Sequence, residues 1–204
     1  MFHIQQPLHQ QTKGDGVVQY QDSNDLSFLS IENAHATATI ALQGAHVMLW
    51  QPKKAKQPVL WLSSNARYTK GRSIRGGVPI CWPWFGAHPT DSSYCPHGFA
   101  RVIPWQLIET KVLENGSTRL VLEMTQTDVA KRQLSYAYRF QLAIIIGQTL
   151  RLEMKTTNLA DHPFMIGEAF HTYFRVSDVE KIHITGLENL VYSDKVAGYE
   201  RNIQ

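Results

Sequence analysis

From Tyr136 to Ile146 every second residue is apolar: Tyr136, Tyr138, Phe140, Leu142, Ile144, Ile146. Beyond Gly147-Gln148 the alternation resumes, with Leu150, Leu152 and Met154 set between Arg151, Glu153 and Lys155. A period of two puts each apolar set on one face of a pleated strand, so the pattern predicts a hairpin closed by a turn with glycine first. Shorter alternating segments at residues 26–32, 36–42, 45–50, 59–62, 107–113 and 119–126 predict further strands, with Asn115-Gly116 marking a second tight turn. A helical period is confined to one short turn within residues 128–134. The first 25 residues, rich in Gln, Asp and Gly, carry no apolar period and read as a polar lead-in to residues 26–204. The expected architecture is all-β, an antiparallel β-sandwich of two packed sheets.

The rhythm breaks between residues 70 and 105, where the text is KGRSIRGGVPICWPWFGAHPTDSSYCPHGFARVIPW. Pro79, Pro83, Pro89 and Pro96 each remove a ladder donor, so this stretch predicts a long ordered loop region of the kind that carries function.

Composition narrows the partners. The 204 residues hold 20 Lys and Arg against 17 Asp and Glu, a net charge of +3 that gives no basic surface for nucleic acid. The longest uninterrupted apolar run, residues 142–146, is far short of the roughly 18 residues of a membrane span, and the opening MFHIQQPLHQQ lacks a signal-peptide pattern. A cytoplasmic protein with no membrane partner is expected. Cys81 and Cys95 are the two cysteines, too few for a disulfide scaffold and without zinc-site spacing.

Three groups in or after the loop region could carry chemistry: Arg75-Gly76-Gly77, His97-Gly98-Phe99-Ala100-Arg101, and His171-Thr172-Tyr173-Phe174. The glycines after Arg75 permit close backbone approach to a ligand, which favours a functional role over simple pairing with a surface carboxylate. Arg101 offers a planar guanidinium suited to phosphate or sugar hydroxyls, and two such arginines point to an anionic ligand. Of the nine histidines, His3, His9, His35, His162 and His183 read as ordinary. His171 follows the apolar 164–170 segment, where a half-buried imidazole can exchange protons near neutrality. Trp82, Trp84 and Phe85 fit either a core or a platform for the apolar face of a sugar. His97 and His171 supply two metal ligands with no carboxylate beside them, so no metal is expected.

The blocks ALQGAHVMLW (41–50), VLWLSSNA (59–66), IRGGVPICWPWFG (74–86), HGFAR (97–101) and HTYFRVSD (171–178) occur in this order, and together they resemble the bacterial glucose-6-phosphate 1-epimerases. These are hexose-6-phosphate mutarotases related to aldose 1-epimerase. The resemblance implies a galactose mutarotase-like supersandwich and interconversion of the α and β anomers of a hexose 6-phosphate without a cofactor. It places the general acid on His171, substrate-contacting arginines on Arg75 and Arg101, and a sugar-holding histidine on His97. The family's catalytic glutamate and a sugar-binding aspartate lie beyond the block that ends YSDKVAGYERNIQ. A C-terminally truncated chain, with its base beyond residue 204, is therefore expected. Glu168 is no substitute, because an odd separation from His171 along an extended strand sends the two side chains to opposite faces. The alternative is a non-catalytic β-sandwich that binds sugar phosphates.

Overall fold

In the computed structural model, which describes residues 9–14, 16–21 and 26–204, the alternating segments assemble into two antiparallel sheets. The first is a meander of five strands: β1 (His9–Gly14), β2 (Val17–Gln21), β3 (Ser27–Glu32), β4 (Ala36–Ala41) and β5 (His46–Pro52). After a two-residue strand, β6 (Ile80–Cys81), the second sheet is built from β7 (Trp105–Val112), β8 (Thr118–Met124), β9 (Tyr138–Ile146) and β10 (Leu150–Asn158), in the order β10-β9-β8-β7. The short helix α1 (Asp128–Gln133) links β8 to β9, starting where Thr127 Oγ1 accepts from the Ala130 N–H at 3.2 Å. The strand β11 (Ala169–Phe170) pairs with β6, while β12 (Val191–Asp194) and β13 (Glu200–Ile203) form a separate hairpin. The architecture is the expected antiparallel β-sandwich. No helix among the described residues is long and apolar enough to cross a membrane.

The inward faces of the two sheets meet in one core. Leu29, Ile31, Ala38, Ile40 and Val47 from the first sheet join Leu120, Leu122, Phe140, Leu142, Ile144 and Ile146 from the second. At its centre the Trp82 indole stacks on Phe140, with centroids 4.5 Å apart, and donates Nε1–H to Thr156 Oγ1 at 3.1 Å. Trp82 and Trp84 are therefore core residues, whereas Phe85 is 59% exposed. The open alternative between core and platform resolves differently for the three rings.

Three local differences from the sequence pattern have physical causes. Strands β1 and β2 lie inside the stretch read as a polar lead-in. In β2, Val17 joins the main core while Tyr20 joins a second apolar cluster with Phe28 and Met48, so the few apolar contacts are split between clusters and leave no period. Residues 59–62 form only isolated bridges, Leu60 with Phe174 and Leu62 with Gly76, because the segment changes partner within four residues. The β9–β10 connection is a three-residue loop, since Ile146 pairs with Leu150. Gly147 stays out of the left-handed region, and its value is space: a Cβ there would come 2.3 Å from Ser117 Oγ.

The Trp82–Phe140 stack carries a stability prediction. Phe140→Ala should lower unfolding stability by about 3–5 kcal/mol, measured by urea denaturation. A loss below about 1 kcal/mol would contradict a core centred on this stack.

Candidate active site

Short as it is, the β6–β11 pairing sets the site. Ala169 faces Cys81 and Phe170 faces Ile80. The ladder runs on beyond the strands, with the His171 N–H donating to Pro79 O and the Tyr173 N–H to Gly77 O, both at 2.9 Å. Pro79 takes part through its carbonyl, the one backbone group it has to offer. On the opposite side the Val78 N–H donates to Val47 O at 2.9 Å, which ties this ribbon to the β4–β5 segment of the first sheet. Residues 75–81 and 169–173 thus form an irregular ribbon attached to the sandwich.

At the start of this ribbon Gly76 (φ +109°) and Gly77 (φ +64°) take conformations that other residues rarely adopt, and a Cβ on Gly77 would lie 2.4 Å from Val47 O. The turn is fixed from beneath by His46, which is buried and donates Nε2–H to Gly76 O at 2.7 Å. Burial pushes the His46 imidazole down to about 4; the bond to Gly76 opposes that shift and the Arg101 charge adds to it. Arg75 directly precedes this turn. Its carbonyl accepts from the Ser63 N–H at 3.1 Å and its residue is exposed.

His97 belongs to a loop threaded beneath Trp82. Gly98 (φ +73°) passes so close that a Cβ would stand 2.0 Å from Trp82 O, and His97 itself sits at φ +67°. The Gly86 N–H donates to His97 Nδ1 at 3.2 Å, so the neutral ring carries its proton on Nε2. The His97 and His171 rings meet edge to face, with centroids 5.6 Å apart and planes at 87°. Burial lowers the His97 imidazole from its ordinary value, and the charges of Arg101, His171 and Lys195 lower it further. Arg101 is anchored by Nη2–H donation to Pro96 O at 2.6 Å, while its buried Nε has no hydrogen-bond partner among the described residues.

Of the four residues singled out from sequence, His97, His171 and Arg101 come together, while Arg75 is exposed at the start of the ribbon. Glu168 is exposed, and no hydrogen bond or ion pair joins it to His171 among the described residues. Sequence reasoning missed His46, Lys195, the stacking of Tyr173 on His171, and Trp61 behind Tyr173. Tyr173 had a readable signal, because two residues on from His171 in extended chain is the same face.

Comparison with known proteins follows this geometry. The family model described as aldose 1-epimerase matches residues 27–203. Proteins of Escherichia coli (strain K12) and Salmonella typhimurium (strain LT2), both provisionally named glucose-6-phosphate 1-epimerase, are each 34% identical over 181 residues, covering 88% of this chain and 58% of theirs. A solved structure from Salmonella typhimurium, provisionally named a mutarotase, superposes with a TM-score of 0.86 at 29% identity, covering 95% of this chain and 63% of that one. A galactose mutarotase-like protein from Clostridium acetobutylicum shares the fold, with a TM-score of 0.62 at 15% identity over 87% of this chain and 57% of its own. The chain thus spans less than two thirds of the length of the relatives it matches.

The buried His46 predicts a pH dependence of stability. Its folded value of about 4 lies below the ordinary value of 6.5, so between these limits the unfolded chain binds more protons and stability rises with pH. The contribution, at most about 3 kcal/mol, should be complete above pH 6.5 and lost as pH falls toward 4. His46→Gln should flatten the slope of unfolding free energy across that window. An unchanged slope in the variant would assign the dependence elsewhere.

Proposed function

The chain belongs to the aldose 1-epimerase family, and from that premise we propose that it interconverts the α and β anomers of a hexose 6-phosphate. The observation that carries the reading is the perpendicular His97–His171 pair with Arg101 beside it. Opening a cyclic hemiacetal requires a proton delivered to the ring oxygen and a proton removed from the anomeric hydroxyl. As the C1–ring oxygen bond breaks, the electron pair of the departing O–H proton forms the C1 carbonyl. Rotation about C1–C2 and reclosure on the other face give the second anomer. In this scheme protonated His171 supplies the ring-oxygen proton and takes it back on closure. His97, fixed with its proton on Nε2, donates a hydrogen bond to a sugar oxygen.

The phosphate belongs to the electrostatics. Arg101, His171 and Lys195 all act on His97 with the same sign, a cationic field suited to a phosphate dianion, and Arg75 adds an exposed guanidinium on the ribbon nearby. The names of the relatives in Escherichia coli and Salmonella typhimurium support the same substrate class. We place the acceptor of the anomeric proton outside the described residues, since among them no carboxylate is hydrogen-bonded or ion-paired to His97 or His171. The compartment proposed is the cytoplasm, in keeping with Cys81 and Cys95 as free thiols.

Two-dimensional exchange NMR on glucose 6-phosphate tests the proposal. The chain should speed anomer exchange modestly, short by the roughly 10²- to 10⁴-fold of a general base. Added acetate should raise the rate in the native chain and leave His171→Ala at the buffer rate. Perturbed sugar signals without faster exchange, in acetate as well, would make the protein a binding module. Arg101→Ala should weaken glucose 6-phosphate binding far more than glucose binding, with the difference shrinking in high salt; equal losses for both sugars would remove Arg101 from phosphate recognition.

A further inference from the structure

The two histidines lie within a row of five aromatic rings. Phe85 meets His97 at 4.9 Å, His97 meets His171 at 5.6 Å, His171 stacks on Tyr173 at 5.0 Å with planes 25° apart, and Tyr173 packs on Trp61 at 5.8 Å. His97 is oriented in the usual way, by a hydrogen bond at Nδ1. His171 differs, because among the described residues no hydrogen bond reaches either of its ring nitrogens. Its backbone is pinned to Pro79, yet rotation about the side-chain bonds is restrained by ring contacts: the Tyr173 face on one side and His97 across the other contact.

Tyr173 is well built for such a task. Its N–H donates to Gly77 O and its carbonyl accepts from the Trp61 N–H, both at 2.9 Å, so the residue is tied to neighbouring segments on both sides. The Trp61 ring then backs the phenol ring. The contact with His171 uses the face of the phenol rather than its hydroxyl, and near-parallel stacking leaves both imidazole nitrogens free for substrate.

We propose that Tyr173 is the positioning residue of His171, holding the imidazole in one orientation by ring stacking where a hydrogen-bonded carboxylate would otherwise do so. The consequence for catalysis rests on the acid role proposed above for His171. A general acid must meet its acceptor within hydrogen-bond reach, and small misplacements are expensive in rate. Releasing the ring should therefore lower turnover by roughly 10- to 100-fold and leave substrate affinity nearly unchanged.

The experiment compares Tyr173→Phe, which keeps the ring, with Tyr173→Leu, which removes it. Carbon-13 relaxation of the His171 ring reports its order in the ligand-free chain, with the His97 ring as internal control for the fold. Exchange NMR on glucose 6-phosphate, with acetate present, gives kcat and KM. The expected result is a mobile His171 ring in Tyr173→Leu, kcat down at least about tenfold with KM within about twofold, and native behaviour in Tyr173→Phe. A His171 ring as rigid in Tyr173→Leu as in the native chain would overturn the proposal, and so would equal losses in both variants, which would assign the effect to the hydroxyl. If the native chain fails to speed exchange, the anomerase reading falls, while ring relaxation still decides whether Tyr173 orients His171.

Discussion

Two residues pairing with two others hold this site together. Ile80 and Cys81 lie against Phe170 and Ala169, and all that is chemically suggestive in the chain depends on that register. In one direction the ladder continues to His171 and Tyr173 through Pro79 O and Gly77 O. In the other, the chain leaves β6 directly into Trp82, whose N–H donates to His97 O and whose carbonyl accepts from the Ala100 N–H, each at 3.2 Å. One short pairing thus sets both histidines, which come from loops far apart in sequence. Each of these backbone bonds contributes only about 1 kcal/mol net, so the arrangement persists because Trp82 is also buried against Phe140 and Phe99 in the main core. The site borrows its rigidity from the sandwich.

The same arrangement concentrates local strain and positive charge. His97 occupies left-handed backbone, which costs roughly 1–2 kcal/mol for a residue with a Cβ, and Arg101 keeps a buried Nε without a partner among the described residues. Neither feature serves stability, and both belong to the cluster where charges act on one another. Burial, and then the cations gathered around it, disfavour the protonated form of His97. Under the proposed function, His97 is the hydrogen-bond donor and His171 the group that delivers the proton.

How far the sequence disclosed this differs by element. The β9–β10 hairpin was legible because its apolar face is buried in β9 and partly buried in β10 while the other face is more exposed, which writes a period of two into the residues. β1 and β2 were not legible, because a strand whose apolar contacts are divided between clusters carries no such period. The ribbon at residues 75–81 escaped for another reason: Pro79 and two left-handed glycines interrupt it, and its pairing with residues 169–173 is a long-range fact that no local pattern encodes. Trp82 and Trp84 looked interchangeable with Phe85 by residue type, yet burial separates them, since only contacts from β9 and from the loop ending in Arg101 decide which rings are enclosed. The histidine and arginine blocks could be named from their motifs. Their meeting was implied by the family resemblance and by no local pattern, and the part played by His46 beneath the Gly76–Gly77 turn had no signal at all.

The central claim is that the β6–β11 register brings His97 and His171 into ring contact before any sugar arrives. The most direct measurement is a nuclear Overhauser experiment on the ligand-free chain with both imidazoles assigned. Cross-peaks between the ring protons of His97 and His171, together with cross-peaks from His171 to the Tyr173 ring, are the predicted result. Both imidazoles assigned and sharp, with no cross-peak between them, would contradict the account.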